Sequence, residues 1–168
     1  MAVYATITDL VNAATGGWTE LAQRAAPEAV LDAELLHAVA TAGDVSEWPV
    51  EAIAVATAAL ARLNDAIERA AKHADTYLFP RYRQRMPLSD DLVTGSSLPA
   101  AVAAIALKRL YGASVPEELR RGTAWADQYL TDLSKGVVSL GAGDTDVAQP
   151  PGRMAIRAPG SAFDWGAY

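Results

Sequence analysis

An all-α fold is what the sequence predicts: a small helical bundle of about four to five helices with one long central helix, followed by an extended C-terminal arm. Three observations carry this. The 168-residue chain is 51% hydrophobic and biased toward alanine, the strongest helix former. Its middle holds an apolar seam spaced by threes and fours over four heptads. Its last stretch, residues 142–168, holds three prolines and four glycines with few aliphatic side chains. The length suits one domain with its own core. Residues 1–141 are therefore assigned to the helical domain and 142–168 to the arm.

The elements follow in order. Thr6-Ile-Thr-Asp9 fits a capping box and opens a short helix that ends before Gly16-Gly17. Residues 18–25 add a turn or two. Pro27 suits the first position of a helix, with Glu28 in its first turn, running to Thr41 or Ala42 before Gly43. The segment GDVSEWP connects it to the long helix, which begins near Pro49 or Val50. There Ile53, Ala56, Leu60, Leu63, Ile67, Ala70, Ala74 and Tyr77 form the seam that faces neighbouring helices. The opposite face carries Arg62, Asp65, Arg69, Lys72 and Thr76. Asp65 with Arg69, and Glu68 with Lys72, set an acid four residues before a base, worth roughly 0.2–0.5 kcal/mol each. Over residues 50–79 this helix would be about 45 Å long. Pro80 is expected to stop it, since proline cannot donate to the ladder and disfavours helical geometry at Phe79.

The segment SDDLVTGSS reads as a polar loop. Residues 98–111 then form a helix that is apolar nearly all round, with alanines at 100, 101, 103, 104 and 106, ended by Gly112. Ser114-Val-Pro-Glu117 reads as a second capping box. Its helix carries Leu119, Trp125, Ala126, Tyr129, Leu130 and Leu133, and Lys135 and Gly136 close it. Beyond GVVSLG the chain becomes the arm.

Candidate chemistry is sparse. The chain has no cysteine, hence no disulfide framework and no thiolate metal site. Its opening, MAVYATITDLVNAATGG, lacks a basic n-region and a sustained apolar core, so no signal peptide is expected. The longest apolar-looking run, residues 98–107, is shorter than the about 20 residues a bilayer requires. A soluble, intracellular protein without a membrane partner is the expectation. Glu34-Leu-Leu-His37 has the spacing used in di-iron bundles, but Ala70 stands three residues before the other histidine, His73. Asp90-Asp91 reads as a solvated turn. Nucleophile-elbow, P-loop and dinucleotide-binding glycine motifs do not occur. No enzymatic activity, metal or cofactor is expected.

Charge points toward assembly. The net charge of −6 is spread as −7 over residues 1–60, +3 over 61–121 and −2 over 122–168. Opposite-sign patches on one chain suit self-association or docking. The basic centre is the stretch after Pro80, where Arg81, Arg83 and Arg85 alternate with Tyr82, Gln84 and Met86. As an extended segment it would put the arginines on one side. They could contact phosphate while Tyr82 stacks on a base. They could instead pair with acids of their own or a neighbouring subunit, the reading that the acidic remainder favours. Tyr77, Arg81, Tyr82, Arg83 and Arg85 are thus candidate subunit or partner contacts. On the arm, Arg153, Ile156, Arg157, Phe163, Trp165 and Tyr168 are candidate anchors, unless its aromatics fold back onto the bundle.

Four pieces of the sequence, taken together, resemble a known family. YATITDLV, then DTYLFPRY followed by MPL, then LPAAVAAIALKRLYG, then WADQYLTDLSKGVVSLG occur in the order found in the Mu-like phage family of small head–tail joining proteins. The pieces correspond to residues 4–10, 75–88, 98–111 and 125–141. Residues 15–44 are longer and richer in alanine than that pattern, and the arm after Gly141 shows no motif that can be matched to it. The resemblance implies a helical adaptor, or head-completion, protein of a long-tailed phage. Such a protein sits as a homo-oligomeric ring, dodecameric by analogy, beneath the portal protein. It extends the DNA channel without sequence-specific DNA binding and presents a surface to the next neck or tail protein. The implied location is the virion neck, and the host cytoplasm during assembly. On this reading the arm's anchors fill pockets on the portal or a neighbouring subunit. Another neck ring such as a tail terminator, or a small helical DNA-binding regulator, are the alternatives.

Overall fold

The computed structural model describes residues 4–141 and Asp144. Among them are seven α-helices, one short 3-10 turn and no strand. The helices are α1 (Ile7–Ala13), α2 (Gly17–Ala25), α3 (Ala33–Ala40), α4 (Val50–Tyr82), α5 (Asp90–Thr94), α6 (Leu98–Leu110) and α7 (Glu117–Lys135), with the 3-10 turn at Arg83–Arg85 after α4.

Local signals set several boundaries. The Thr6 hydroxyl accepts from the Asp9 amide, and the Asp9 carboxylate accepts from the Thr6 amide, so the expected capping box starts α1. Gly136 closes α7 at φ 73°, a left-handed cap that glycine adopts without steric cost. Other boundaries differ from expectation. Pro27 does not start a helix: Asp32 caps α3 by accepting from the Glu34 amide, and residues 27–32 form a connecting turn. The box at Ser114 does not form either. Pro116 is the N-cap of α7, so Glu117 falls at the first helical position and not at the third, where its carboxylate could reach back. The segment read as a polar loop contains α5, which buries Leu92 and Val93.

The long helix α4 runs through Pro80 to Tyr82, 33 residues and about 50 Å. Leu78 and Tyr82, one turn apart, are both fully buried, while Phe79 and Pro80 face outward. Burial of that pair holds the helix through the proline. The buried stripe also drifts from the 3–4 seam. Ile53, Leu60 and Tyr77 are only partly buried, whereas Ala59, Ala66, Ala71, Leu78 and Tyr82 lie inside. A straight helix at 3.6 residues per turn rotates away from a 3.5 repeat, and from Ala70 on the stripe advances by fours.

The innermost element is α6. Residues 101–107 are buried without a break, and the helix packs against α1, α4, α5 and α7. Alanines at 101, 103, 104 and 106 let those neighbours approach from every side. Helices α2 and α3 pack against α4, and α7 lies along its second half.

Candidate functional site

The stretch after Pro80 is helical, so its three arginines do not share a side. Arg81 and Arg85, one turn apart, face inward, and Arg83 faces out. The inward pair meets Asp144, whose side chain is fully buried. Arg81 Nη2 lies 3.7 Å from Asp144 Oδ2, and Arg85 Nη1 lies 3.8 Å from Oδ1. The Tyr82 hydroxyl donates to Asp144 Oδ2 at 2.6 Å, and the Leu140 amide donates to the same oxygen at 3.0 Å. Arg81 also reaches the end of α7, donating to the Val138 carbonyl at 2.8 Å. It thereby satisfies a carbonyl just beyond the helix end and adds positive charge where the helix dipole is negative. Its guanidinium lies 5.2 Å from the centre of the Tyr82 ring.

A second polar tie lies about two turns earlier on α4. The buried Tyr4 hydroxyl donates to Asp75 and lies 3.8 Å from Met86 Sδ. Both tyrosines are pushed well above the ordinary phenol range. Burial is the main cause in each case. The carboxylate each hydroxyl faces, Asp75 or Asp144, adds to it, while the charge of Arg81 partly opposes the shift at Tyr82.

Two glycines let the chain reach this site. Gly141 sits at φ 98°, and a Cβ there would stand 3.0 Å from the Gly95 carbonyl oxygen. Only glycine fits without strain. Gly136, with the same freedom, turns the chain out of α7 and packs against Arg81.

Of the sequence-predicted contacts, Arg83 is exposed and makes no ion pair among the described residues. Tyr77 is half-buried, edge-on to the His73 ring at 5.2 Å. Arg81, its side chain 9% exposed, and the partly exposed Arg85 face Asp144, and Tyr82 is wholly inside, with no ring face open for stacking on a base. Arg153, Ile156, Arg157, Phe163, Trp165 and Tyr168 lie outside the described residues. The sequence reading missed Asp144 and the Tyr4–Asp75 pair, partners 62 and 71 residues apart. No periodicity reports such a distance. The signal was in the motif pieces, two of which contain Tyr4 and Asp75. His37 lies against Trp18 at 5.1 Å, and no group of three acids or histidines able to hold a metal occurs among the described residues.

The geometry defines an all-helical module with one end braced by buried polar ties between distant parts of the chain. The chain belongs to the family described as Bacteriophage Mu, Gp36, which it matches over residues 4–158, and is therefore a phage protein. No curated protein and no solved structure matches it. No helix among the described residues is long and apolar enough to cross a membrane.

Proposed function

We propose that this chain is a structural head–tail adaptor of a long-tailed phage. Copies form a ring beneath the portal, extend the DNA channel and present a surface to the next neck or tail component. The protein acts by assembly and not by catalysis. The observation that carries this reading is the meeting of the four joining-protein motif pieces at one end of one bundle. Tyr4 from the first piece bonds Asp75 of the second. Arg81 and Tyr82 of the second hold Val138 and, through Asp144, Leu140 of the fourth. The start of the third, just after Gly95, abuts Gly141. The motif thus describes one three-dimensional feature, a rigid end suited to bearing load between rings. Net negative charge on the whole chain lets DNA pass without adhering.

Gel filtration and negative-stain images of the protein mixed with purified portal provide the test. Co-elution and an annulus added to the portal's outer end are expected. Binding to tail tubes and not to portal would make it a tail terminator. Salt-sensitive binding of duplex DNA by the free protein, without portal binding, would overturn the adaptor reading in favour of a regulator.

A further inference from the structure

Two separate surfaces of the molecule complement each other. The first is a groove of about 700 Å³ between α1, α2, α6 and the start of α7. Its lining contains three carboxylates, Asp9, Glu20 and Glu118, and no base. Asp9 is engaged by Thr6, and Glu20 accepts from the Gly16 amide and the Tyr111 hydroxyl. Arg24, 4.1 Å above the Tyr111 ring, offsets part of that charge. Glu118 is exposed and has no ion pair among the described residues. Trp125 stands at the rim, 44% exposed. An unpaired acid beside an open tryptophan is the composition of an interface anchor site.

The second surface is the outer face at the end of α4. Phe79 is 58% exposed there, and Arg83, also exposed, follows one turn later. The two surfaces cannot meet within one chain. Helices α4 and α7 run side by side in one direction, His73 facing Asp127 and Arg81 reaching Val138. The groove therefore lies beside the start of that pair and Phe79 at its end, separated by about 10–20 Å of helix.

We propose that Phe79 and Arg83 of one copy seat in the groove of the next, Phe79 against Trp125 and Arg83 toward Glu118. The inference rests on the ring reading and specifies its lateral contact. Because donor and acceptor surfaces differ, every copy can give one and receive the other, the head-to-tail arrangement that closes into a ring. Positive charge entering an acidic groove also fixes the orientation of neighbours.

The full chain with charge reversals is the test, its assembly followed by light scattering alone and with portal. Arg83→Glu and Glu118→Arg should each weaken self-association by at least about tenfold with unchanged helical circular dichroism, and the double variant should recover it. Because the chain has no cysteine, Arg83→Cys combined with Glu118→Cys should give a ladder of disulfide-linked multimers under oxidation. Wild-type rings that neither reversal disturbs, with no ladder, would overturn the contact and leave the ring intact. Rescue of Glu118→Arg by Arg153→Glu with Arg157→Glu, and not by Arg83→Glu, would assign the groove to the chain's C-terminal segment and also overturn it. A wild-type chain that never assembles, even with portal, would remove both readings.

Discussion

The end of the bundle around Tyr82 and the segment joining α2 to α4 are held by different means. Around Tyr82 the polar contacts link residues 62 and 71 positions apart, Tyr82 with Asp144 and Tyr4 with Asp75, and the Asp144 carboxylate is buried. From residue 27 to residue 48 the polar contacts are local: Glu34 with Asp32, Thr41 with His37, Gly43 with Ala38, Ser46 with Asp44. Leu35 and Leu36 of α3 are buried, but Val30 is fully exposed. One region is a cross-link whose loss separates distant parts of the fold. The other is a cover seated on the core by Leu35 and Leu36, its hydrogen bonds all local. Regions held by few buried long-range contacts open at lower free energy than those that carry the core.

The comparison breaks most directly at Asp144. Asp144→Ala leaves Arg81 inside with its charge uncompensated and removes the acceptor of two hydrogen bonds. Removing one partner of a buried pair costs about 3–5 kcal/mol, which for a domain of this size lowers Tm by roughly 10 °C. Asp144→Asn keeps an acceptor for Tyr82 and should fall between the two. An unchanged Tm in Asp144→Ala would show that this end is not braced at all.

Tyr82→Phe sharpens the same point with a smaller effect. It removes one donor to a buried carboxylate, a loss of about 1–3 kcal/mol, measurable as a lower urea midpoint. The pH dependence has a definite sign. Folding raises the pKa of Tyr82, and of Tyr4, Tyr111 and Tyr129, so the unfolded chain releases these protons first. Their stability contribution is complete below the ordinary phenol pKa of about 10 and declines as pH rises beyond it. Denaturation above pH 10 should be less steep in Tyr82→Phe than in the wild type, and shallower still when Tyr4→Phe is added.

These residues also show what the sequence could and could not disclose. Contacts between near neighbours were legible: the Thr6–Asp9 box, the Gly136 cap, the apolar α6. Where two local rules competed, tertiary burial decided. Pro80 has the chemistry of a helix stop, but Leu78 and Tyr82 bury one turn apart across it. Pro27 and Asp32 both have the chemistry of helix starts, and the Asp32 side chain is the one that finds an amide to cap. A five-residue helix such as α5 offers too few positions for a period to register. The site was legible only by half. The arginines announced themselves by number, but alternation in sequence hid that Arg81 and Arg85 share a helical face. Asp144 sits in a glycine-flanked stretch that gives no hint of burial.

On the cover side, Asp32→Ala removes the side-chain cap of α3 and should cost about 1 kcal/mol. The loss should appear as faster amide exchange confined to α3, with α6 amides unchanged. Exchange accelerated across the whole bundle would mean that α3 is coupled to the core as tightly as the Tyr82 end.

The smallest effect is expected at Val30. It is the most exposed large apolar residue among those described, in a turn whose nearest backbone bond, from the Ala29 amide to the Ala26 carbonyl, does not involve it. Val30→Ser removes no buried area and breaks no hydrogen bond, so stability should change by less than about 0.5 kcal/mol. The isolated chain gives this residue no role, yet an exposed valine carries an unfavourable hydration that serine does not. If the turn only covers α4, Val30→Ser should be neutral in Tm and in portal association alike. If association falls while Tm holds, the turn is itself a contact surface, and its looseness is the freedom of a segment that orders on docking. A fall in Tm without any change in association would instead place Val30 in the fold's own packing and remove the distinction between cover and brace.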